Sequence, residues 1–265
     1  HMYHTCVSTL QREMGIDPAP ATRAAYELLM QQETPTILPI VHQPLPSATP
    51  MLIGREREWK QLHAIWQDTI NGGPHFVLVS GEAGIGKSRL TEEFLLWASQ
   101  QGAITAKARS YAAEGQLSLA PITDWLRSEG LRTTLRQLDP VWLTEVARIL
   151  PELLVEQPAL PHYESVTEYG QRQRFFEAMA RAILHTAQPL LLLIDDLQWC
   201  DQETLAWLHF LLRFDSTARL LIVGCAREEE LLPSHPLRTL LLHLRNSMRA
   251  TEIPLEALDA AETVN

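Results

Sequence analysis

The stretch FVLVSGEAGIGKSRLTEEFLLWA, Phe76 to Ala98, constrains the fold more than any other part of this chain. A short uninterrupted apolar run ends at Ser80. The pattern G-x-x-x-x-G-K-[ST] follows over Gly81, Glu82, Ala83, Gly84, Ile85, Gly86, Lys87 and Ser88, and apolar residues then recur at helical spacing through Leu90, Phe94, Trp97 and Ala98. Strand, glycine loop and helix come in the order that a phosphate cradle requires. Glycines let the backbone wrap round phosphate oxygens, and the amides and dipole at a helix start favour an anion. The spacing predicts that Lys87 reaches the outer phosphates of a nucleotide and that the Ser88 hydroxyl ligates Mg²⁺. An ordinary glycine-rich turn has the same composition, so the reading depends on what the rest of the chain supplies.

A second buried strand supplies carboxylates. PLLLLIDDLQW ends on Asp195 and Asp196, at the C-terminal end of an apolar strand, where open α/β sheets place their ligands. Asp195 is the expected Mg²⁺ partner, through water, because Mg²⁺ keeps several of its waters. Asp196 is placed to polarise or orient an attacking water. Two adjacent carboxylates ending a buried strand are costly without a cation. Arg227 closes the next apolar run, LLIVGCAR, where it either senses a terminal phosphate and stabilises transferred charge or simply pairs with the acids of EEELL. Arg55 and Arg57 fall in the helical pattern REREWKQLHAIWQDTINGG and read as solvated arginines. Gln198 and Trp199 either pack near the site or belong to the core. The histidines show no ligand spacing.

Around these motifs, apolar runs alternate with helical patterns, which implies an α/β fold with a parallel sheet covered on both faces. Residues 1–32 read as a helical hairpin, the end of a helical-repeat domain. Residues 33–50 form a proline-rich linker with Pro35, Pro39, Pro44, Pro46 and Pro50, and residues 51–265 form the domain that carries the motifs. Between about residues 121 and 165, Pro121, Pro140, Pro151, Pro158 and Pro161 predict short, interrupted helices. The net charge of -10 argues against a nucleic-acid footprint, so a role on DNA requires a domain outside this stretch. Cys6, Cys200 and Cys225 lack metal-ligand spacing and read as reduced, buried thiols of a cytoplasmic protein. No apolar run approaches the roughly 18 residues of a membrane span, and His1-Met2 has the form of a cloning remnant.

With these residues in place, the chain resembles the STAND class of AAA-related P-loop ATPases, as found in large bacterial transcription regulators. LIGREREWKQL, GEAGIGKSRL, LLLIDDLQWCD and LLIVGCAREEEL carry the resemblance. It implies a three-layer P-loop NTPase sandwich with a five-stranded parallel sheet in the order 5-1-4-3-2. It also implies ATP or ADP with Mg²⁺ as ligands, Ile53, Gly54 and Arg55 near the adenine and ribose, residues Gly81 to Arg89 around the phosphates, and Arg227 as a sensor. YHTCVSTLQREMGIDPAPATRAAYELLMQ is similar to the end of a bacterial transcriptional activator domain, which implies DNA binding through an upstream domain. Two departures stand out. Asp196 occupies the position of the usual catalytic Glu, one methylene shorter, which implies slow water activation. The stretch IPLEALDAAETVN lies where the helical lid and winged-helix segment of the family are expected to begin.

Three functions follow as alternatives. One is a regulatory switch in which ATP and ADP states bias the surfaces and the self-association of a larger regulator, with slow hydrolysis as reset. Another is an energy-transducing or defence-effector ATPase, and a third is a small-molecule kinase, which lacks a recognisable acceptor pocket or lid motif. The expected enzymatic activity is at most slow conversion of ATP and water to ADP and phosphate.

Overall fold

Of the 265 residues, the computed structural model describes 54–112, 118–160 and 168–257. The predicted hairpin, the linker and Ile53 lie outside the described residues, as do Cys6 and Pro161.

Five strands form one sheet in the order β2-β3-β4-β1-β5: β1 (His75–Gly81), β2 (Ile104–Arg109), β3 (Leu190–Asp195), β4 (Leu220–Arg227) and β5 (Ala250–Pro254). Every pairing is parallel. Read from the other edge, this is the expected order 5-1-4-3-2. Strands buried on both faces need apolar side chains at every position, which explains the continuous runs Phe76–Val79 and Leu190–Ile194. Their alternation separates two cores. On one face Phe76, Leu78, Leu192, Ile194 and Ile222 pack with Trp125, Met179 and Trp207. On the other, Val77, Val79, Leu191, Leu193, Leu221 and Val223 pack with Leu62, Trp66, Leu90 and Phe94.

Helices α1 (Glu56–Gly72) and α2 (Lys87–Gln100) cover that second face. The connection from β2 to β3 carries α3 (Ala120–Arg127), α4 (Glu129–Leu135), α5 (Pro140–Val146), α6 (Glu152–Glu156) and α7 (Glu168–Leu184). Its prolines start helices rather than merely end them. Pro121 lies in the first turn of α3, Pro140 opens α5 and Pro151 precedes α6, positions where the missing N–H has no helical partner to lose. Trp125 seats this layer on the sheet, its indole N–H donating to the Leu193 carbonyl of β3 at 2.9 Å. Helices α8 (Gln202–Phe214) and α9 (Pro236–Asn246) complete the first face. Asp201 caps α8 by accepting from the Thr204 N–H at 2.9 Å.

The chain leaves β1 toward the β2 edge of the sheet and leaves β4 toward the β5 edge. Connections that part in this way open a crevice at the C-terminal ends of the strands, and the loop after β1, Asp195 and Arg227 all lie at that end. Cys200 and Cys225 are free thiols, and burial pushes both up to about 12. Among the described residues no helix is long and apolar enough to cross a membrane.

Candidate functional site

The glycine loop owes its shape to three positive backbone angles: φ 149° at Gly81, 79° at Gly84 and 102° at Gly86. A Cβ at Gly81 would lie 2.7 Å from the Leu255 carbonyl oxygen, so the chain after β5 closes over the start of the loop. Gly84 and Gly86, in contrast, have nothing within 4 Å of a built Cβ, leaving open space on the inside of the turn. Gly86 then serves as the N-cap of α2. Lys87 is buried and spans the loop, with Nζ donating to the Gly81 carbonyl at 2.8 Å and to the Glu82 carbonyl at 2.7 Å.

Ser88, in the first turn of α2, donates its hydroxyl to Asp195, at 2.9 Å from Oδ2 and 3.1 Å from Oδ1. The motif serine and the strand-end carboxylate are therefore in direct contact, although 107 positions separate them. A hydroxyl and a carboxylate beside an open loop are the hard oxygen donors that Mg²⁺ takes, a few from the protein and the rest from water and phosphate. Among the described residues, no three His, Cys, Asp or Glu side chains are grouped to enclose a metal ion. The donor set thus fits a metal shared with a phosphate chain.

Asp196 lies in a left-handed turn, φ 54°, and is buried at 7 % exposure. Arg109, at the end of β2, donates to Asp196 Oδ2 from Nε at 2.9 Å and from Nη2 at 2.7 Å. Gln198 Nε2 donates to Oδ1 at 3.0 Å, and Arg227 Nε stands 3.5 Å from that same oxygen. Burial pushes the carboxyl up, but the hydrogen bonds from Gln198 and Arg109 and the charges of Arg109 and Arg227 outweigh it and hold Asp196 below the usual carboxylate range. The expected water-orienting residue is an ionised carboxylate with both oxygens engaged.

Of the two alternatives read from the sequence, the pairing of Arg227 with the acids of EEELL is present in the fold. Arg227 pairs with Glu230 at 3.0 Å, faces Asp196 and lies over the Trp199 ring at 4.9 Å. Gln198 anchors the same corner, its Oε1 accepting from the Arg227 N–H at 3.2 Å and its carbonyl lying 2.9 Å from His235 Nε2. Gln198 and Trp199 are thus parts of the site's wall.

Arg55 corrects the expectation of a solvated helix arginine. It is the residue before α1, 6 % exposed, and its Nη2 donates to the Ile85 carbonyl at 3.1 Å and to the Glu256 carbonyl at 2.8 Å, while Nη1 meets Glu58 at 3.2 Å. It ties the glycine loop to the chain leaving β5. Gly54 precedes it with φ 73°. Arg89 turns outward, its side chain 72 % exposed and paired with Glu93 at 3.0 Å. Arg109 and Glu229, whose Oε1 accepts from the Ala83 N–H at 3.1 Å, were not singled out in the sequence. Arg109 ends β2 beside Asp195 in register, a pairing that its weak strand pattern does not display.

Solved structures similar to this chain include the Orc1 protein of Aeropyrum pernix in complex with DNA, 15% identical with a TM-score of 0.42 over 82% of this chain and 49% of that one. Drosophila ORC bound to DNA matches at 17% identity and a TM-score of 0.41 over 81% and 46% of the two chains. AMPPCP-bound DnaA from Aquifex aeolicus matches at 13% identity and 0.40 over 79% and 48%. The chain spans about half the length of each of these structures. Among curated proteins none matches. The family model described as an AAA ATPase domain matches residues 51–223, from just before α1 into β4, and the chain belongs to that family.

Proposed function

We propose that the chain is the nucleotide switch of a larger bacterial transcription regulator of the STAND class, binding ATP or ADP with Mg²⁺ and hydrolysing ATP slowly to reset its state. In this reading the loop amides and Lys87 hold the phosphates, while Ser88 and Asp195 hold the metal, whose chemistry when bound is to neutralise phosphate charge. Asp196 orients a water, Arg227 senses the terminal phosphate, and Gly54 and Arg55 border the base. DNA is contacted through a segment outside this chain, and the full-length protein self-associates according to nucleotide.

The observation that carries the switch reading is the hold of Arg109, Gln198 and Arg227 on Asp196. A general base works best when its pKa lies near the operating pH. A carboxylate held below its ordinary range with both oxygens engaged is a weak base, and it must exchange a guanidinium for water before it can act. That favours a domain that keeps ATP long enough to report a state. Purified protein is expected to bind MgATP or to release ADP on denaturation, with turnover well below the typical enzyme value of about 10 per second. Lys87→Ala is expected to lose binding while keeping the far-ultraviolet dichroism of the fold. Rapid unstimulated hydrolysis would remove the switch reading, and unchanged affinity in Lys87→Ala would remove the site.

A further inference from the structure

Beyond Arg227 the chain turns through a short 3-10 segment, Glu228–Glu230, and returns a carboxylate to the glycine loop. Glu229 Oε1 accepts the Ala83 backbone N–H at 3.1 Å across 146 positions. Glu228 and Glu229 are both exposed to solvent, and Glu230 pairs with Arg227 at 3.0 Å, so of the three only Glu229 is given a bond to the loop. Hydrogen bonds from its own backbone N–H and from that of Ala83, with the charges of Lys87 and Arg227, outweigh desolvation and hold the Glu229 carboxyl below the usual range. An anion of the protein therefore already sits on one of the loop's donors, within the field of the two cations that the nucleotide reading assigns to the outer phosphates.

We infer that Glu229 sets the preference of the site between a nucleoside diphosphate and a triphosphate, its charge opposing the terminal phosphate at the outer end of the loop. The inference rests on the nucleotide reading above. ATP and ADP differ by the one phosphate that Lys87 and Arg227 would meet, so a negative charge held on the loop by the Ala83 N–H penalises ATP and leaves ADP nearly untouched. With ADP bound, the Ala83 and Glu229 contact persists and the 228–230 turn stays on the loop. With ATP bound, the carboxylate is displaced and the turn is released, together with the chain that runs from it into α9. The γ-phosphate is thereby reported to α9 by displacement of a carboxylate that the chain itself lays on the loop.

The test compares wild type, Glu229→Gln and Glu228→Gln in the full 265-residue chain, using isothermal titration with Mg²⁺ and either ADP or a β,γ-nonhydrolysable ATP analogue. Gln keeps an oxygen that accepts from Ala83 and removes only the charge. For an exposed charge, the ratio of triphosphate to diphosphate affinity is expected to rise about threefold or more in Glu229→Gln, mostly through tighter triphosphate binding. Glu228→Gln is expected to move it by less than half as much. Equal gains for both nucleotides in Glu229→Gln, or an equal effect of Glu228→Gln, would overturn the role of Glu229 while leaving the nucleotide site standing. Failure of the wild type to bind either ligand would overturn both.

Discussion

Arg109, the last residue of β2, and Asp196, the first residue past β3, meet through two guanidinium nitrogens on a single carboxylate oxygen, Nη2 at 2.7 Å and Nε at 2.9 Å from Oδ2. Half of the Arg109 side chain is solvent-exposed, 48 %, against 9 % for Asp196, so the arginine is the member free to swing away. Replacing it with Gln should let the Asp196 pKa rise toward the ordinary carboxylate value and free Oδ2 for water. Single-turnover and steady-state assays on Arg109→Gln are expected to show hydrolysis faster by roughly three- to tenfold, while Asp196→Asn binds nucleotide and hydrolyses it about a hundredfold more slowly. A slower Arg109→Gln enzyme would mean that the arginine assists the reaction rather than restraining the base.

Arg55 offers a second test, because one guanidinium serves the loop, the end of the sheet and Glu58. Arg55→Ala removes charge-assisted bonds to two carbonyls and should cost about 1–3 kcal/mol in urea unfolding. Lys cannot reach the same acceptors with one ammonium, so Arg55→Lys should recover less than half of the loss. Nucleotide affinity is expected to fall in both variants, since the Ile85 carbonyl belongs to the loop itself. Full recovery by Lys would show that only the charge matters.

Gly224 in β4 faces the first residue after Asp196. A Cβ there would come within 2.6 Å of Leu197 Cδ2 and 3.2 Å of Phe76 Cζ, both in the core. Gly224→Ala should lower stability by about 1–3 kcal/mol through overpacking. The displaced Leu197 should also disturb Asp196, so hydrolysis changes more than nucleotide affinity. Stability equal to wild type would indicate that the Leu197 side chain moves aside without cost.

The pH dependence of stability has a definite sign at the opposite end of the sheet. Burial pushes His75 down, against the smaller upward pull of Asp68, and burial with the charges of Arg213 and His243 pushes His209 down. An imidazole kept neutral in the fold binds fewer protons than in the unfolded chain, so stability is lost as pH falls below the ordinary imidazole value of about 6.5. Thermal midpoints are expected to drop from about pH 7 to about pH 5. His75→Asn should make the drop shallower, and an unchanged slope would assign it to other groups.

The parts of this molecule that were legible in the sequence are those in which neighbours along the chain are also neighbours in the site. The loop from Gly81 to Ser88 is contiguous, and Asp195 is marked by the apolar strand that ends on it. The sheet order followed from resemblance, and the pairings bear it out. Arg109 was hidden in a weaker strand pattern, and its partner lies 87 positions away. Arg55 was misjudged because it abuts a solvated helix, while its acceptors lie 30 and 201 positions off, in the loop and after the last strand. Periodicity reports which face of an element is apolar; it carries no information about which distant carbonyl an arginine will meet.

The left-handed turn at Asp196 bears on how this domain can change. Among residues with a side chain, Asp and Asn tolerate that backbone region best, whereas a longer straight-chain acid has no short local hydrogen bond to offset the crowding. Lengthening the carboxylate to Glu would extend its reach by one methylene and at the same time strain the turn that aims it. A longer acid is therefore not a simple route to faster chemistry: the geometry that presents the carboxylate also favours the shorter residue, so the slow hydrolysis proposed above would be anchored in the backbone as much as in the side chain.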